Sequence, residues 1–144
     1  MEAVPFIGID RHRLGVDGVG VTTLAAFHGC PLRCKYCLNR RCLEPPEELT
    51  RESVERAAEV VGDFIVDIKE SNAEIYKAYT GGDAALVWAN LEWLIQKKGP
   101  EHVTVRVPLI PDFNTEADCD LTAARLKAMG ATCIDRFTYR VQQS

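Results

Sequence analysis

The sequence predicts an α/β fold with about four central parallel strands. Three observations carry that prediction. Short apolar, β-branched runs recur at residues 21–27, 64–69, 103–110 and 133–141. Stretches with helical spacing separate the later runs, at 51–61, 85–98 and 115–129, which is the order of βα units in a parallel sheet. The 144 residues are 47% apolar, enough to bury one core. The expected organisation is a single domain, 1–144. Residues 1–20 are an N-terminal extension, 21–42 a strand followed by a cysteine loop, and 51–141 the remaining βα units.

Residues 21–27, VTTLAAF, read as a buried strand that runs directly into the cysteine loop. Residues 51–61 place Val54, Ala57, Ala58 and Val61 at i, i+3, i+4 and i+7, the stripe of an amphipathic helix. FIVDIK, 64–69, is the second strand. Its period of two sends Phe64, Val66 and Ile68 to one face and Ile65, Asp67 and Lys69 to the other. Ser71 with Glu74 resembles a capping box that opens a short helix, stopped at Gly81-Gly82. Residues 85–98 carry Val87, Trp88, Leu91, Leu94 and Ile95 on one stripe, and Gly99-Pro100 ends that helix. The third strand, 103–110, puts Arg106 on the face opposite Val103, Val105 and Val107. A helix over 115–129 stops at Gly130, and 133–141 is the fourth strand. Charges on a strand covered by helices are costly unless paired or engaged by a ligand. Asp67, Lys69 and Arg106 are therefore expected to line one polar interior; a salt bridge of Asp67 with Arg106 or Lys69 satisfies the same pattern.

Charge and hydropathy exclude several function classes. Seventeen basic residues stand against 21 acidic ones, net −4, which argues against a nucleic-acid partner. No apolar run approaches the ~20 residues that cross a bilayer. Residues 1–10 lack a basic stretch followed by an apolar one, so a cytoplasmic, reducing location is expected. Residues 1–46 carry 6 basic and 4 acidic side chains, the remainder 11 and 17. Arg33, Lys35, Arg40 and Arg41 gather near the cysteine loop, a distribution suited to an acidic electron donor or simply to a solvated loop.

Cys30, Cys34, Cys37 and Cys42 fall within thirteen residues, while Cys119 and Cys133 lie far downstream. In a reducing compartment a tight group reads as metal or redox chemistry before disulfides. The spacing in GCPLRCKYCLN, Cys-x3-Cys-x2-Cys, lets three thiolates converge on one inorganic centre. Iron–sulfur clusters are held by Cys thiolates, normally four. Cys30, Cys34 and Cys37 alone would leave one iron of a [4Fe–4S] cluster open to a substrate. Cys42 as a fourth ligand would close the site, with tetrahedral zinc its expected occupant. His28 adjoins the loop; His12 and His102 read as surface residues, Trp88, Trp93, Tyr76 and Tyr79 as packing, and Cys119 and Cys133 as buried thiols.

The triplet with Tyr36 before its last cysteine resembles the signature of radical S-adenosylmethionine (SAM) enzymes. Asp17-Gly18-Val19-Gly20-Val21, Phe27, Gly29 and Asn39 around it resemble the activating enzymes of glycyl radical enzymes, the pyruvate formate-lyase activase group. FIVDIK is similar to that group's D-x-K strand, and VRVPLIPDFN to a later strand whose Arg faces SAM. The resemblance implies a (βα) barrel, Cys30, Cys34 and Cys37 as cluster ligands, and Tyr36, Asp67, Lys69 and Arg106 as SAM contacts. It also implies reductive cleavage of SAM to a 5′-deoxyadenosyl radical that takes hydrogen from a glycine of a partner enzyme. A flavodoxin- or ferredoxin-type donor would supply the electron. The family's glycine-rich strand, which holds the methionine amine, has no counterpart in the 29 residues between Cys37 and Asp67. Gly81-Gly82-Asp83 comes after the D-x-K strand and reads as a helix stop. The barrel implied is therefore partial, lacking about two βα units, with an incomplete cofactor cradle that would impair activity. A non-catalytic cluster-binding remnant, an electron carrier and a zinc-stabilised interaction module are the alternatives.

Overall fold

In the computed structural model the described residues are 6–14, 21–27, 32–37 and 51–141. The chain divides into two compact units, one of residues 1–31 and 37–48 and the other of 32–36 and 49–144. In the first unit, β1 (Phe6–Leu14) and β2 (Val21–Phe27) form a two-stranded antiparallel ladder. Its register runs from Phe6 opposite Phe27 to Leu14 opposite Val21. The strand expected at 21–27 forms, but its hydrogen-bonded partner is the segment read as an N-terminal extension, and the pairing is antiparallel. Only six residues connect the two strands. That suits a hairpin, whereas parallel neighbours need a crossover of a dozen residues or more.

The second unit is a βα array in the expected order. It comprises α1 (Arg51–Val60), β3 (Phe64–Asp67), α2 (Ala73–Thr80), α3 (Ala84–Lys98), β4 (Val103–Leu109), α4 (Glu116–Met129) and β5 (Cys133–Thr138). The strands form one parallel sheet of three, in the order β3-β4-β5. Asp67 pairs with Arg106, and Arg106 with Asp135; Pro108 pairs with Phe137. Parallel pairing continues past the strand ends, from Ile68 N–H to the Arg106 carbonyl and from Tyr139 N–H to the Leu109 carbonyl.

One face of this sheet carries the core. Val103, Val105, Val107 and Ile68 are buried with Trp88, Leu91, Leu94 and Ile95 of α3 and Cys119 and Leu126 of α4. The stripe read for 85–98 therefore faces the sheet; Val87 is half-buried at its margin. Tyr76 is buried in the same core, and Trp93 packs at its edge beneath Arg51.

Helix ends follow their local chemistry. Thr115 and Asp118 form a reciprocal capping box at α4, and Gly130 closes that helix at φ 102°. At α2 the cap is one residue later than expected. Asn72 accepts from Glu74 and Ile75 N–H, while Ser71 is drawn away to Glu70 and Thr122. Among the described residues no helix is long and apolar enough to cross a membrane.

Candidate functional site

Two halves of a candidate site come from the parallel unit, an open polar face and the C-terminal edge of the sheet. The face opposite the core carries Asp67, Lys69 and Arg106 together, as their alternation predicts. Lys69 Nζ lies 2.8 Å from Asp67, and Arg106 lies 3.8 Å from the same carboxylate. These are the two salt bridges the sequence allows. The surroundings differ from the expected interior, because the side chains of Asp67, Lys69 and Arg106 are 35%, 16% and 37% exposed. Ile65, next along that face, is exposed as well. The physical reason is that the buried core is gathered on the other face of the sheet, so the charges keep access to water.

Alternation along β5 brings two further residues to Arg106. Asp135 lies 3.5 Å from the guanidinium, and the Phe137 ring lies under it at 4.1 Å. Arg106 thus sits between two carboxylates on an aromatic plate, a pre-set orientation for a planar cation. Lys69 similarly lies 5.5 Å from the Tyr139 ring centre. Neither Asp135 nor Phe137 belongs to the expected set. The alternation of Cys133, Asp135 and Phe137 is visible in sequence, but the pairing that brings them beside Arg106 is seen only in the sheet.

The C-terminal edge holds a segment of the cysteine loop, Leu32–Tyr36. Arg33 N–H donates to the Thr80 carbonyl at 2.7 Å and Lys35 N–H to the Tyr79 carbonyl at 3.0 Å. The Tyr139 hydroxyl donates to the Tyr36 carbonyl at 2.8 Å, and the Tyr36 hydroxyl donates to Asp112 at 3.0 Å. Tyr36, Tyr79 and Phe113 form one aromatic group with centroids 4.9–6.1 Å apart. The hydrogen bond to Asp112 and the nearby negative charge push the Tyr36 phenol above its ordinary pKa. Burial pushes Tyr79 up further, helped by Tyr139 and Cys34.

Gly81 and Gly82 do more than stop α2. Gly81 takes the left-handed conformation of a helix C-cap at φ 74°. A side chain at Gly82 would place its Cβ 2.7 Å from Leu32 Cδ2, so the end of the Leu32 side chain would have to turn aside.

Behind this edge, a hydrogen-bond knot ties the loops after β3 and β4 to α4. The Glu70 carboxylate is buried and accepts from Ser71 N–H at 2.6 Å, Asn72 N–H at 3.0 Å, and Thr122 and Asn114 at 3.2 Å. Asn114 also takes the Ile110 N–H at 2.6 Å and donates to the Pro108 carbonyl. Sequence reasoning passed over Glu70, Asn114 and Thr122, because a polar residue in a loop reads as solvated until its burial is known.

Of the predicted cluster ligands, Cys34 and Cys37 are both half-buried, and Cys30 and Cys42 lie outside the described residues, as does His28. Among the described residues no group of three metal-ligating side chains comes together. Cys119 is buried on α4, where burial raises its thiol pKa, and Cys133 is half-buried at the start of β5. His102 is half-exposed and meets Asp63 at 2.9 Å. No protein-family model and no curated protein matches the chain.

Proposed function

We propose that the chain is a radical-SAM-type protein resembling the activating enzymes of glycyl radical enzymes. The observation that carries the reading is the docking of Leu32–Tyr36 onto the C-terminal edge of a parallel sheet whose open face bears Asp67, Lys69 and Arg106. Parallel α/β proteins place their chemistry at that edge. On this reading the three parallel strands belong to a partial (βα) barrel shorter than the family's.

The residues present fit the two groups implied. Cys30, Cys34 and Cys37 would hold a [4Fe–4S] cluster, the donor set that such clusters take. SAM carries an ammonium, a carboxylate and an adenine, and the open face offers an anion, two cations and aromatic rings in adjoining positions. Asp67, Lys69 and Arg106 would contact SAM through its polar groups, with Tyr36 at the loop end of the same site. A part-exposed ion pair such as Asp67–Arg106 contributes about 0–1 kcal/mol, so exchanging it for a zwitterionic ligand costs little. When bound, cluster and SAM together supply a carbon radical able to take hydrogen from a glycine Cα. The chain's own part is ligation, orientation and exclusion of water. The partners proposed are a glycyl radical enzyme as protein substrate and an acidic flavodoxin- or ferredoxin-type electron donor, which exposed Arg33 and Lys35 would meet.

Anaerobic reconstitution with iron and sulfide, followed by SAM and dithionite, tests the reading. About four irons per chain and release of 5′-deoxyadenosine are expected. A loaded chain that releases none would reduce the protein to a cluster-binding remnant or electron carrier. One zinc per chain without sulfide would replace the reading by a zinc-stabilised module.

A further inference from the structure

We propose that Asp112 is a positioning residue whose carboxylate latches the cysteine-bearing segment Leu32–Tyr36 to the end of β4. Among the described residues Asp112 is the one non-glycine residue with a positive φ, 68°. That conformation is strained for a side chain and is met elsewhere in the unit by Gly81, Gly99 and Gly130. Asp112 is exposed, so burial does not demand a carboxylate there. What the carboxylate does is accept the Tyr36 hydroxyl at 3.0 Å, across 76 residues of chain.

Tyr36 is gripped from both neighbouring strand ends. Asp112 and Phe113 after β4 take its hydroxyl and its ring, and Tyr139 after β5 takes its carbonyl. On the other side Arg33 and Lys35 amides are tied to the last turn of α2. Cys34 lies between these anchors in sequence, and Cys37 follows Tyr36 directly. A charge-assisted hydrogen bond is the strongest kind available to a neutral hydroxyl, and a half-buried surface segment loosens locally when one of its anchors is removed. Removal of the Asp112 carboxylate therefore relaxes the backbone of residue 112 while it loosens the cysteine segment. Those two effects have opposite signs, which separates a latch from a merely structural residue. The latch as a contact stands by itself; its consequence for cluster assembly rests on the function proposed above.

Amide hydrogen exchange on the full chain, resolved by residue, is the test. In Asp112→Gly, exchange at the Arg33 and Lys35 amides accelerates roughly ten-fold or more, from the loss of one hydrogen bond to a charged group. Exchange at Val105 and Leu126 is unchanged or slower. Tyr36→Phe reproduces the Arg33 and Lys35 effect. Asp112→Asn, which keeps an oxygen acceptor and tolerates positive φ, recovers most of the protection. Arg33 and Lys35 exchange within two-fold of wild type in Asp112→Gly overturns the latch, and so does equal acceleration of the core amides. Iron uptake on anaerobic reconstitution is the second readout. It falls in Asp112→Gly and Tyr36→Phe and returns in Asp112→Asn. Normal uptake in all three, beside altered exchange, overturns the role in placing the cysteines. A wild-type chain that takes up no iron, with the exchange difference intact, sinks the cluster reading and leaves the latch supported.

Discussion

Replacement of Glu70 probes how the candidate site is held. Its carboxylate is 2% exposed and receives donors from its own loop, from Asn114 after β4 and from Thr122 on α4. In Glu70→Ala, Thr122 keeps Ser71 Oγ at 2.8 Å and Asn114 keeps the Pro108 carbonyl at 3.0 Å. The Asn72 amide loses its charge-assisted acceptor, and the Ser71 amide falls back on Thr122 Oγ1 at 3.2 Å. Hydrogen bonds to a charged group contribute about 1.5–3 kcal/mol each, so one lost outright and one exchanged for a neutral acceptor put the loss at about 2–4 kcal/mol. Glu70→Gln keeps an oxygen for both amides but turns an NH2 toward the Asn114 amide, where the other carboxylate oxygen had accepted. Its cost is about 1–2 kcal/mol. Urea unfolding followed by tryptophan fluorescence reads both variants, since Trp88 and Trp93 lie on α3 within the same unit. The reasoning fails if Glu70→Ala costs under about 1 kcal/mol, or if Glu70→Gln costs as much as Glu70→Ala.

Three further outcomes follow from the same contacts. Gly82→Val turns the end of the Leu32 side chain aside at a cost of no more than about 1 kcal/mol, and adding Leu32→Ala removes that cost; a loss of several kcal/mol in unfolding would refute the reading that only a side-chain end gives way. Tyr79→Phe leaves stability within about 1 kcal/mol of wild type or raises it, because the buried hydroxyl has no hydrogen-bond partner among the described residues. A thermal unfolding shift of several degrees downward would show that it has one. Asp118 is held below its ordinary pKa by hydrogen bonds from Thr115 at the α4 cap. A carboxyl lowered in the folded state contributes stability above its unfolded pKa and loses it as pH falls through the folded value. Thr115→Ala is therefore most damaging near neutral pH, and the gap to wild type narrows below about pH 4 in a pH series of unfolding curves; a gap that does not narrow would refute the assignment.

Much of the parallel unit was legible because its signals are local. Alternation in FIVDIK and VTVRVPL sorts Asp67, Lys69 and Arg106 from the valines, and each of the three lies on the face it was assigned. The spacing of Trp88, Leu91, Leu94 and Ile95 gives the core side of α3, and Gly130 marks where α4 ends. The first strand was hidden by its own composition. In FIGIDRHRL the apolar alternation dissolves into charges after Ile9, so the segment reads as an extension until its partner β2 is seen. The α2 cap moved from Ser71 to Asn72 for a reason no local pattern contains, since Ser71 is claimed by Glu70 and by Thr122 fifty-one residues away.

The same distinction explains the site. The residue types that suggest chemistry, the cysteines and the charges of strand 64–69, are visible in sequence by type and spacing alone. The residues that hold them in place are ordinary in type and act through distance alone. Asp112 reaches Tyr36 across 76 positions, Glu70 reaches Asn114 across 44, and Gly82 matters for what it lacks beside Leu32. Arg106 joins the two kinds. Its presence on the open face follows from period two, yet its orientation depends on Asp135 and Phe137 from a strand that the sequence does not pair with it. If that orientation serves an anionic ligand, Phe137→Leu should weaken ligand binding more than it weakens folding, because Phe137 is only half-buried and gives up the plate beneath the guanidinium rather than core. SAM titration of the variant by calorimetry, beside its unfolding curve, compares the two losses directly. A loss of stability with unchanged affinity would make the Arg106–Phe137 pair a packing contact and nothing more.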